Sequence, residues 1–360
     1  MDMKRRPTIN DVAIKASLSI STVSLVLNDK RNVSDETRLK VRQVMKELGY
    51  HPHHSARGLA SKLTGNIGFI LSADYFSQEE PFYTRIFLGT EIEARSHNYY
   101  ILLTTVDTQA KSKNGIPRFL LERNVDGVII AGKIGERLVE RIDQLGVPLL
   151  LVDYALKRKT ISSICIDNYQ GARNASLHLI GGGHKKSGFI GGDIEHPSVA
   201  ERFLAYKETL AEHNITVDPK IIVTDEEYAG VRNGFNAMAR IFNQGGAPSA
   251  VFAANDAMAI GCMQYLKSVN KKIPRDCAVV GFDDIEMSSH TEPRLTTIRV
   301  FKEETGKIAV QRMVEMIKSK TKAVISVRVP VELVVRESCG IKPADINERH
   351  HQPLTLSHAV

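Results

Sequence analysis

The chain has 360 residues, which is enough for two or three domains. Its composition, 42% hydrophobic and 25% charged, is ordinary for a globular protein. It contains no run of about eighteen apolar residues and no signal-peptide core after the basic N-terminus, so we expect a cytoplasmic protein rather than a membrane or secreted one. The formal net charge is +7, and residues 1–63 hold twelve Lys or Arg against six Asp or Glu, so the excess positive charge is concentrated at the N-terminus.

Two short helices joined by a tight turn are predicted between Thr8 and Asn28, from the pattern T-I-N-D-V-A-I-K-A-S-L-S-I-S-T-V-S-L-V-L-N. Thr8 and Asp11 have the spacing of a capping box, and Ser19 is placed to cap the second helix. Apolar residues recur at helical spacing on the inner faces. These residues are Val12, Ala13, Ala16, Val23, Val26 and Leu27. The second helix is the candidate recognition helix of a helix-turn-helix head.

A third helix is predicted from Ser34 to Gly49, with Leu39, Val44 and Leu48 buried. Three helices can close a small core, and the positive charge of this region provides an electrostatic attraction to DNA phosphates. The alternative is a small helical hairpin that shows the same periodicity without binding DNA.

From Asn66 onward, short apolar runs alternate with amphipathic stretches. The runs are at 67–71, 100–106, 127–131, 148–152, 164–166, 188–190, 221–223, 250–253 and 278–282, and helical patterns include 87–95, 138–145, 171–179 and 257–266. This alternation predicts an α/β body of parallel sheets covered by helices on both faces. Such sheets bind ligands beyond the carboxyl ends of their strands. The polar residues that follow the runs there are Asp74, Asp167, Asp193, Asn255 and Asp283.

The chain resembles the lactose-repressor (LacI/GalR-type) family of bacterial transcription regulators as far as about residue 340. The motifs that carry the resemblance are the two-helix pattern above, Y-H-P-H-H-S-A-R-G-L-A from Tyr50, D-G-V-I-I from Asp126, A-N-D-A-M-A-I-G from Ala254, V-V-G-F-D-D from Val279 and L-T-T-I from Leu295. The resemblance implies a three-helix DNA-binding head, a hinge, and a periplasmic-binding-protein-like body of two doubly wound parallel-sheet subdomains with the effector in the cleft between them.

The same resemblance supplies the domain boundaries. It places the head at 1–52, the hinge at 53–64 and the effector-binding and dimerisation domain at 65–340. Subdomain one takes 65–166 and 297–327, subdomain two takes 167–296 and 328–340, and the polar tail at 341–360 is expected to be disordered.

For DNA, the resemblance assigns major-groove reading to Ile20, Ser21 and Leu25, although relatives often hold Arg at the last of these positions. None of the three can make a bidentate bond to a base, so thymine methyls, one serine hydroxyl and DNA shape must carry the specificity. Contacts to phosphate and sugar are expected from Thr8, Thr22, Ser24, Asn28, Tyr50 and Arg57. Leu59 is expected to wedge into the minor groove when the hinge folds on DNA, and a plain flexible tether is the alternative.

For the effector, the resemblance places Arg202, Asn255 and Asp283 where sugar-pathway repressors bind ligand hydroxyls. The apolar walls are expected from Phe82, Tyr83 and Phe282, and the weaker candidates are Asp167, His196 and Tyr228. A ligand-free alternative is that Arg202 and Asp283 only tie loop ends together. Val300 and Phe301 stand where relatives commonly have a polar residue, so that side of the pocket is expected to be drier. The effector is expected to be a sugar or sugar derivative.

Other classes of protein fit less well. The glycines at 181–183 and 188–192 lack the phosphate-binding spacings, and neither G-x-S-x-G nor H-E-x-x-H occurs, so we expect no enzyme and no cofactor. A transport-type binding protein would share the body but lack the head. His51, His53 and His54 have no nearby Cys or acidic ligand, so no metal site is expected. The well-separated cysteines (Cys165, Cys262, Cys277 and Cys339) are expected to be buried reduced thiols.

The expected partners follow from this interpretation. A palindromic operator in double-stranded DNA requires two heads, which predicts a homodimer. The ligand would act by its different affinity for two arrangements of the subdomains. A repressor is expected, while the effector's identity and the sign of its action stay open.

Overall fold

The computed structural model describes residues 7–27, 32–50, 63–73, 82–107, 115–156, 161–226, 228–319 and 323–341. Its helices are α1 (Ile9–Ala16), α2 (Ile20–Leu27), α3 (Asp35–Leu48), α4 (Phe82–Ser96), α5 (Arg118–Leu121), α6 (Glu136–Asp143), α7 (Asn168–Gly181), α8 (Pro197–Glu212), α9 (Val231–Asn243), α10 (Asp256–Ser268) and α11 (Lys302–Ser319). Its strands are β1 (Asn66–Ser72), β2 (Tyr100–Val106), β3 (Gly127–Ala131), β4 (Leu149–Val152), β5 (Ser162–Ile166), β6 (Ser187–Ile190), β7 (Ile222–Val223), β8 (Ala250–Ala253), β9 (Ala278–Val280), β10 (Thr297–Val300), β11 (Ser326–Val329) and β12 (Val331–Val334).

The head consists of α1, α2 and α3, and the predicted caps are all present. Thr8 and Asp11 form a reciprocal capping box, with the Thr8 backbone N–H donating to Asp11 Oδ2 over 2.7 Å. Ser19 Oγ accepts from the backbone N–H of Thr22 at 3.0 Å. Ser34 caps α3, and Gly49 ends it in a left-handed conformation with φ of 62°. Local side-chain oxygens thus satisfy N–H groups that the helices leave free.

The core of the head differs from the sequence prediction at two residues of α3, Leu48 and Leu39. Leu48 packs against the core but is only partly buried. Residues buried as predicted include Val12, Ala13, Ala16, Val23, Val26 and Val44. Leu39, however, was wrongly predicted to be buried: it is 68% exposed, and Val41 is fully buried in the cluster instead. The two residues lie about 200° apart around α3, so only one of them can face α1 and α2.

Within the described ranges, no single helix is long and apolar enough to cross a membrane. The pair α1 and α2 meets the length and composition requirements only when taken together, and the two helices are bent by 109° at the turn between them. In the head, their apolar faces instead pack into the three-helix core.

Subdomain one is built on a six-stranded parallel sheet with the order β11-β5-β4-β3-β1-β2. One face is covered by α4 and α11, whose apolar residues join those of the sheet in one cluster. The opposite face is covered by α5 and α6. Strands β1, β3 and β4 are buried on both sides, as the sequence predicted for a parallel sheet, whereas the edge strand β2 is mostly exposed or half-buried.

Subdomain two is built on a four-stranded parallel sheet with the order β7-β6-β8-β9. Helices α9 and α10 cover one face, and α7 and α8 cover the other. The antiparallel pair β10 and β12 lies against α7 and joins the second of these clusters. Two doubly wound parallel-sheet subdomains are the predicted fold class, which is confirmed.

The chain passes between the two sheets three times. It leaves β5 at Ile166 for α7, leaves β10 at Val300 for α11, and leaves β11 at Val329 for β12. The second and third crossings lie a few residues beyond the expected boundaries at 296/297 and 327/328. Because β10 pairs with β12 while β11 pairs with β5, we place both boundaries at these crossings.

The start of the body is fixed by one carboxylate, that of Asp126. It accepts hydrogen bonds from the backbone N–H of Thr64 at 2.7 Å, from the Thr64 hydroxyl at 3.0 Å and from the backbone N–H of Gly65 at 2.8 Å. The next residue, Gly127, lies so close to α11 that a Cβ there would meet Met313 Sδ at 2.2 Å. The D-G-V-I-I motif therefore anchors the end of the hinge to the sheet and allows α11 to pack closely.

Candidate functional site

The candidate recognition helix α2 exposes apolar side chains on the face opposite its packed one. Val23 and Val26 are buried, whereas Ile20 is 49% exposed and Leu25 is 38% exposed. Ser21 is also exposed. The three residues assigned to base reading therefore all lie outside the head core, where two aliphatic side chains and a hydroxyl can reach a groove.

The other candidate DNA contacts are distributed differently. Thr22 and Ser24 are half-buried on α2, and Thr8 is half-buried with its hydroxyl engaged by Asp11. Tyr50 is buried in the head core, so its ring contributes to packing of the head. Asn28, Arg57 and Leu59 lie outside the described residues, as does most of the hinge at 53–64.

The candidate effector cleft lies where the carboxyl ends of the two parallel sheets meet. Asp153 follows β4 in subdomain one, and Ser198 lies in the first turn of α8 in subdomain two. The Ser198 hydroxyl donates across the cleft to the Asp153 carbonyl at 3.3 Å and to its Oδ1 at 3.4 Å. A second bridge runs from Lys133 Nζ to the backbone carbonyl of Glu195 at 2.8 Å. Polar groups of both subdomains therefore meet directly.

Asp153 is the buried carboxyl group at the centre of this contact, only 5% exposed and with a left-handed φ of 66°. The Tyr83 hydroxyl donates to its Oδ2 at 2.8 Å. Burial raises the pKa of Asp153 to about 6, against the lowering effects of the Tyr83 hydrogen bond and of the nearby Arg202 charge. Asp153 was not among the residues predicted from the sequence, although, like Asp167 and Asp283, it is a carboxylate directly after an apolar run, the one at 148–152.

Arg202 lies on α8 with its guanidinium group inside the cleft. Nε donates to Asn168 Oδ1 at 2.8 Å, Nη1 donates to the backbone carbonyl of Ala254, and Nη2 lies 3.4 Å from Asp283 Oδ1. The guanidinium also lies 3.6 Å above the centroid of the Phe282 ring. Arg202 and Asp283 are thus brought together as predicted, and they also connect separate segments of subdomain two.

Asp283 has an exposed fraction of 8% and lies after β9. Burial raises its pKa, while the charges of Arg202 and Lys302 oppose that rise. The ion pair with Arg202 uses Asp283 Oδ1, so Oδ2 takes no part in that contact. A carboxylate held in this way is a suitable acceptor for ligand hydroxyls.

Three other candidates serve as helix caps. Asp167 Oδ1 accepts from the backbone N–H of Gln170 at 3.2 Å at the start of α7. Asn255 Oδ1 accepts from the backbone N–H of Met258 at 2.8 Å, and its amide donates to the Ala229 carbonyl at 2.8 Å. These bonds use part of the hydrogen-bonding capacity of the Asp167 and Asn255 side chains, which were expected to bind the effector.

His196 is the third capping residue, at the start of α8. Its Nδ1 accepts from the backbone N–H of Ser198 at 3.3 Å, which places the ring proton on Nε2. Burial lowers the pKa of His196 to about 4, with further lowering from the Arg202 and Lys133 charges. The imidazole is therefore neutral at ordinary pH.

The apolar candidates divide into wall and surface residues. Phe82 packs against the cores of both subdomains, and Phe282 is fully buried. Val300 is buried, as a drier side of the cleft requires, while Phe301 and Tyr228 are exposed. The cleft thus combines aromatic walls with carboxylate, guanidinium and hydroxyl groups, which is the composition of a site for a small polar ligand.

Comparisons with known proteins cover nearly the whole chain. The model for bacterial regulatory proteins of the lacI family matches residues 8–53, and the model for a periplasmic binding protein-like domain matches residues 177–339. The ribose operon repressor of Haemophilus influenzae is 31% identical over 333 residues, covering 92% of this chain and 98% of that protein.

Two solved structures are also similar. The complex of the transcriptional regulator CelR with cellobiose has 28% sequence identity and a TM-score of 0.70, covering 92% of this chain and 100% of that one. The lac repressor dimer bound to operator and the anti-inducer ONPF has 28% identity and a TM-score of 0.80, covering 93% of this chain and 99% of that one.

Proposed function

The chain belongs to the lacI family of bacterial regulatory proteins, and from this we propose that it binds a palindromic operator as a homodimer under the control of a small effector. The similar proteins reported above are named as regulators and repressors, not as enzymes, and the chain is a transcription regulator. Repression of its target genes is the expected outcome of operator binding.

The observation that carries the proposal is the exposed aliphatic face of α2. Ile20 and Leu25 project from a helix whose other face is packed, on the most positively charged part of the chain. Covering two large aliphatic side chains with a partner is favourable, because it removes apolar surface from water. Thymine methyl groups in the major groove are such a partner, and the surrounding positive charge favours DNA.

The DNA interface is tested by selecting binding sites from random duplexes with the full-length protein and measuring affinities by fluorescence anisotropy. Leu25→Ala is expected to weaken binding to the selected site by about 1 kcal/mol or more, because it removes a base contact. Leu39→Ala is the matched control: Leu39 is an exposed leucine in the same head, but on α3. Equal losses in the two variants would contradict the assignment of α2 to base reading.

Salt and the hinge provide two further tests of DNA binding. Affinity should fall by roughly 0.9 log units per log unit of salt for each phosphate neutralised, and a flat response would contradict the phosphate contacts.

Leu59→Ala should weaken operator binding while leaving effector binding unchanged, because an inserted leucine stabilises only the bent DNA complex. Unchanged operator affinity would contradict the proposed insertion of Leu59 into the minor groove.

Two features support the homodimer: a palindromic operator requires two heads, and subdomain one has an apolar strip on its surface. Leu88 and Ile92 are four residues apart on α4, so they share one face, and both are exposed. A second copy of this chain can cover that strip. Ile92→Glu is therefore expected to shift the protein toward monomer in sedimentation experiments, whereas an unchanged sedimentation coefficient would exclude this face from the dimer contact.

For the effector we propose a sugar or sugar derivative bound between Asp283, Arg202 and the aromatic walls. Thermal unfolding against sugars, sugar phosphates and purines, including ribose and cellobiose, tests this, because a ligand of the native state raises the melting temperature by mass action. Asp283→Asn should abolish the rise caused by a ligand that stabilises the wild type. A full rise in that variant would place the ligand elsewhere.

A further inference from the structure

Lys302 occupies the second crossing between the subdomains. Its backbone begins α11 of subdomain one, directly after β10 ends at Val300. Its ammonium group lies instead against subdomain two, where Nζ donates to the backbone carbonyls of Asp283, of Asp284 at 3.3 Å and of Val300 at 3.4 Å. One side chain therefore connects the loop after β9 to the first turn of a helix in the other subdomain.

The loop after β9 has a backbone suited to this contact. Asp283 and Asp284 both have left-handed φ values, of 108° and 51°, which is uncommon for two successive residues other than glycine. The Asp283 N–H is held by the Ile298 carbonyl at 2.7 Å. An ammonium has three N–H donors, and the three carbonyls match them. Lys302 is thus committed to the protein backbone, and its role is one of positioning.

Asp283 connects this contact to the candidate effector position. Its carboxylate is paired with Arg202, while its carbonyl accepts from Lys302. A ligand that binds the carboxylate therefore contacts the same residue whose carbonyl Lys302 holds. Burial lowers the pKa of Lys302, and the neighbouring carboxylates, Asp283 first, oppose that effect.

On the other side, α11 is packed too closely against α4 to move independently. A Cβ at Gly306 would lie 2.1 Å from the Ile86 carbonyl oxygen, and one at Gly89 would lie 1.9 Å from the Glu303 carbonyl oxygen. The two helix backbones are therefore in direct contact. A displacement of the first turn of α11 must be followed by α4, which begins at Phe82.

We infer that Lys302 couples ligand occupancy at Asp283 to the position of α11 and α4 in subdomain one, the subdomain that the hinge enters. The inference rests on the proposed function, since it takes the effector to bind at Asp283. Allosteric coupling requires an element that both sites bias, and the Lys302 contacts supply one between the subdomains.

Hydrogen exchange of the full-length protein, without DNA or sugar, measures this coupling. Thr305 and Gly306 report on the first turn of α11, and the Asp283 amide reports on the loop. Lys302→Met keeps the side-chain length but removes the donors, and it should raise exchange at all three amides about tenfold, as expected for losing a charge-assisted hydrogen bond. Lys302→Arg keeps the charge and the donors, so it should raise exchange at these amides less than Lys302→Met does.

The matched control is Lys307→Met, on the same helix. Lys307 pairs with Glu304 of its own helix at 3.2 Å and not with the loop after β9. This variant should leave exchange at Asp283 unchanged. If K302M and K307M gave the same exchange at Asp283, the inference would be overturned.

A double-mutant cycle separates coupling from mere stabilisation. Asp283→Asn perturbs the candidate effector position and should raise exchange at Thr305 and Gly306 in the otherwise native chain. In the K302M background, Asp283→Asn should raise hydrogen exchange at Thr305 and Gly306 by less than a further twofold, because the Lys302 contacts that link the two sites have been removed. An equal effect in both backgrounds overturns the inference. Failure of the wild type to bind any sugar or selected DNA would overturn the proposed function instead, since the cycle uses neither.

Discussion

Asp153→Asn is expected to stabilise the protein above neutral pH and to remove one component of its pH dependence. The carboxyl group is fully buried between Tyr83 and Ser198, and burial raises its pKa from 3.8 to about 6. An asparagine has nearly the same shape and can accept from the Tyr83 hydroxyl. Its amide N–H₂ can donate to the Ser198 hydroxyl, which is able to reverse its role. The substitution therefore removes a buried charge while keeping the contact.

The magnitude follows from the pKa. Between 3.8 and about 6 the native state binds a proton that the unfolded chain has lost, so the free energy of unfolding falls as the pH rises through this interval. At about 1.4 kcal/mol for each pH unit, the ionised carboxylate costs about 3 kcal/mol above pH 7. Below pH 3.8 both states are protonated and the wild type bears no such cost.

Urea unfolding of both proteins from about pH 4.5 to pH 8 provides the assay. The stability of D153N relative to the wild type should grow by about 2 kcal/mol over that range, with most of the change below pH 6.5. Tyr83→Phe should shift the transition to higher pH, because the Tyr83 hydrogen bond lowers the pKa of Asp153. A constant difference between wild type and D153N across the whole range would refute the buried, proton-binding Asp153.

Two further predictions concern stability. Ser34→Ala should lower the thermal stability of the head by about 1 kcal/mol, because it removes the side chain that caps α3, and an unchanged melting transition would contradict that role. Gly306→Ala should destabilise subdomain one by about 1–3 kcal/mol or more in chemical unfolding, because the new methyl group meets the α4 backbone. Gly181→Ala is the control, since a Cβ there has nothing within 4 Å, and it should be neutral or stabilising by up to about 1 kcal/mol.

Much of the fold could be predicted because its signals are local. Capping residues stand next to the helices they cap, and strands buried on both faces read as short apolar runs. The predicted burial of Leu39 was wrong because Val41, two residues along the chain, is also apolar. Only the positions of α1 and α2 decide which of the two is covered. The crossings at Val300 and Val329 depend on pairings between β10 and β12 and between β11 and β5, which are distant in the sequence.

The candidate cleft could be predicted only in part. The family resemblance placed Arg202 and Asp283 at the expected effector position, and their contact with each other belongs to the ligand-free alternative, in which they tie loop ends together. The caps formed by Asp167 and Asn255 were not anticipated, since a polar residue that ends a strand is also the residue that precedes the next helix. The contact between Asp153 and Ser198 joins different subdomains, and no local pattern indicates such a pair.

The anchor formed by Asp126 determines where a DNA-binding head from another protein can be joined to this body. The Asp126 carboxylate accepts from Thr64 and Gly65, so Thr64, the last residue of the expected hinge, belongs structurally to subdomain one. A foreign head joined before Leu63 would leave this anchor intact, whereas a junction placed after Gly65 would have to rebuild it. The natural modular boundary for chimeric regulators therefore lies ahead of Thr64, and the body carries its own attachment point for whichever head precedes it.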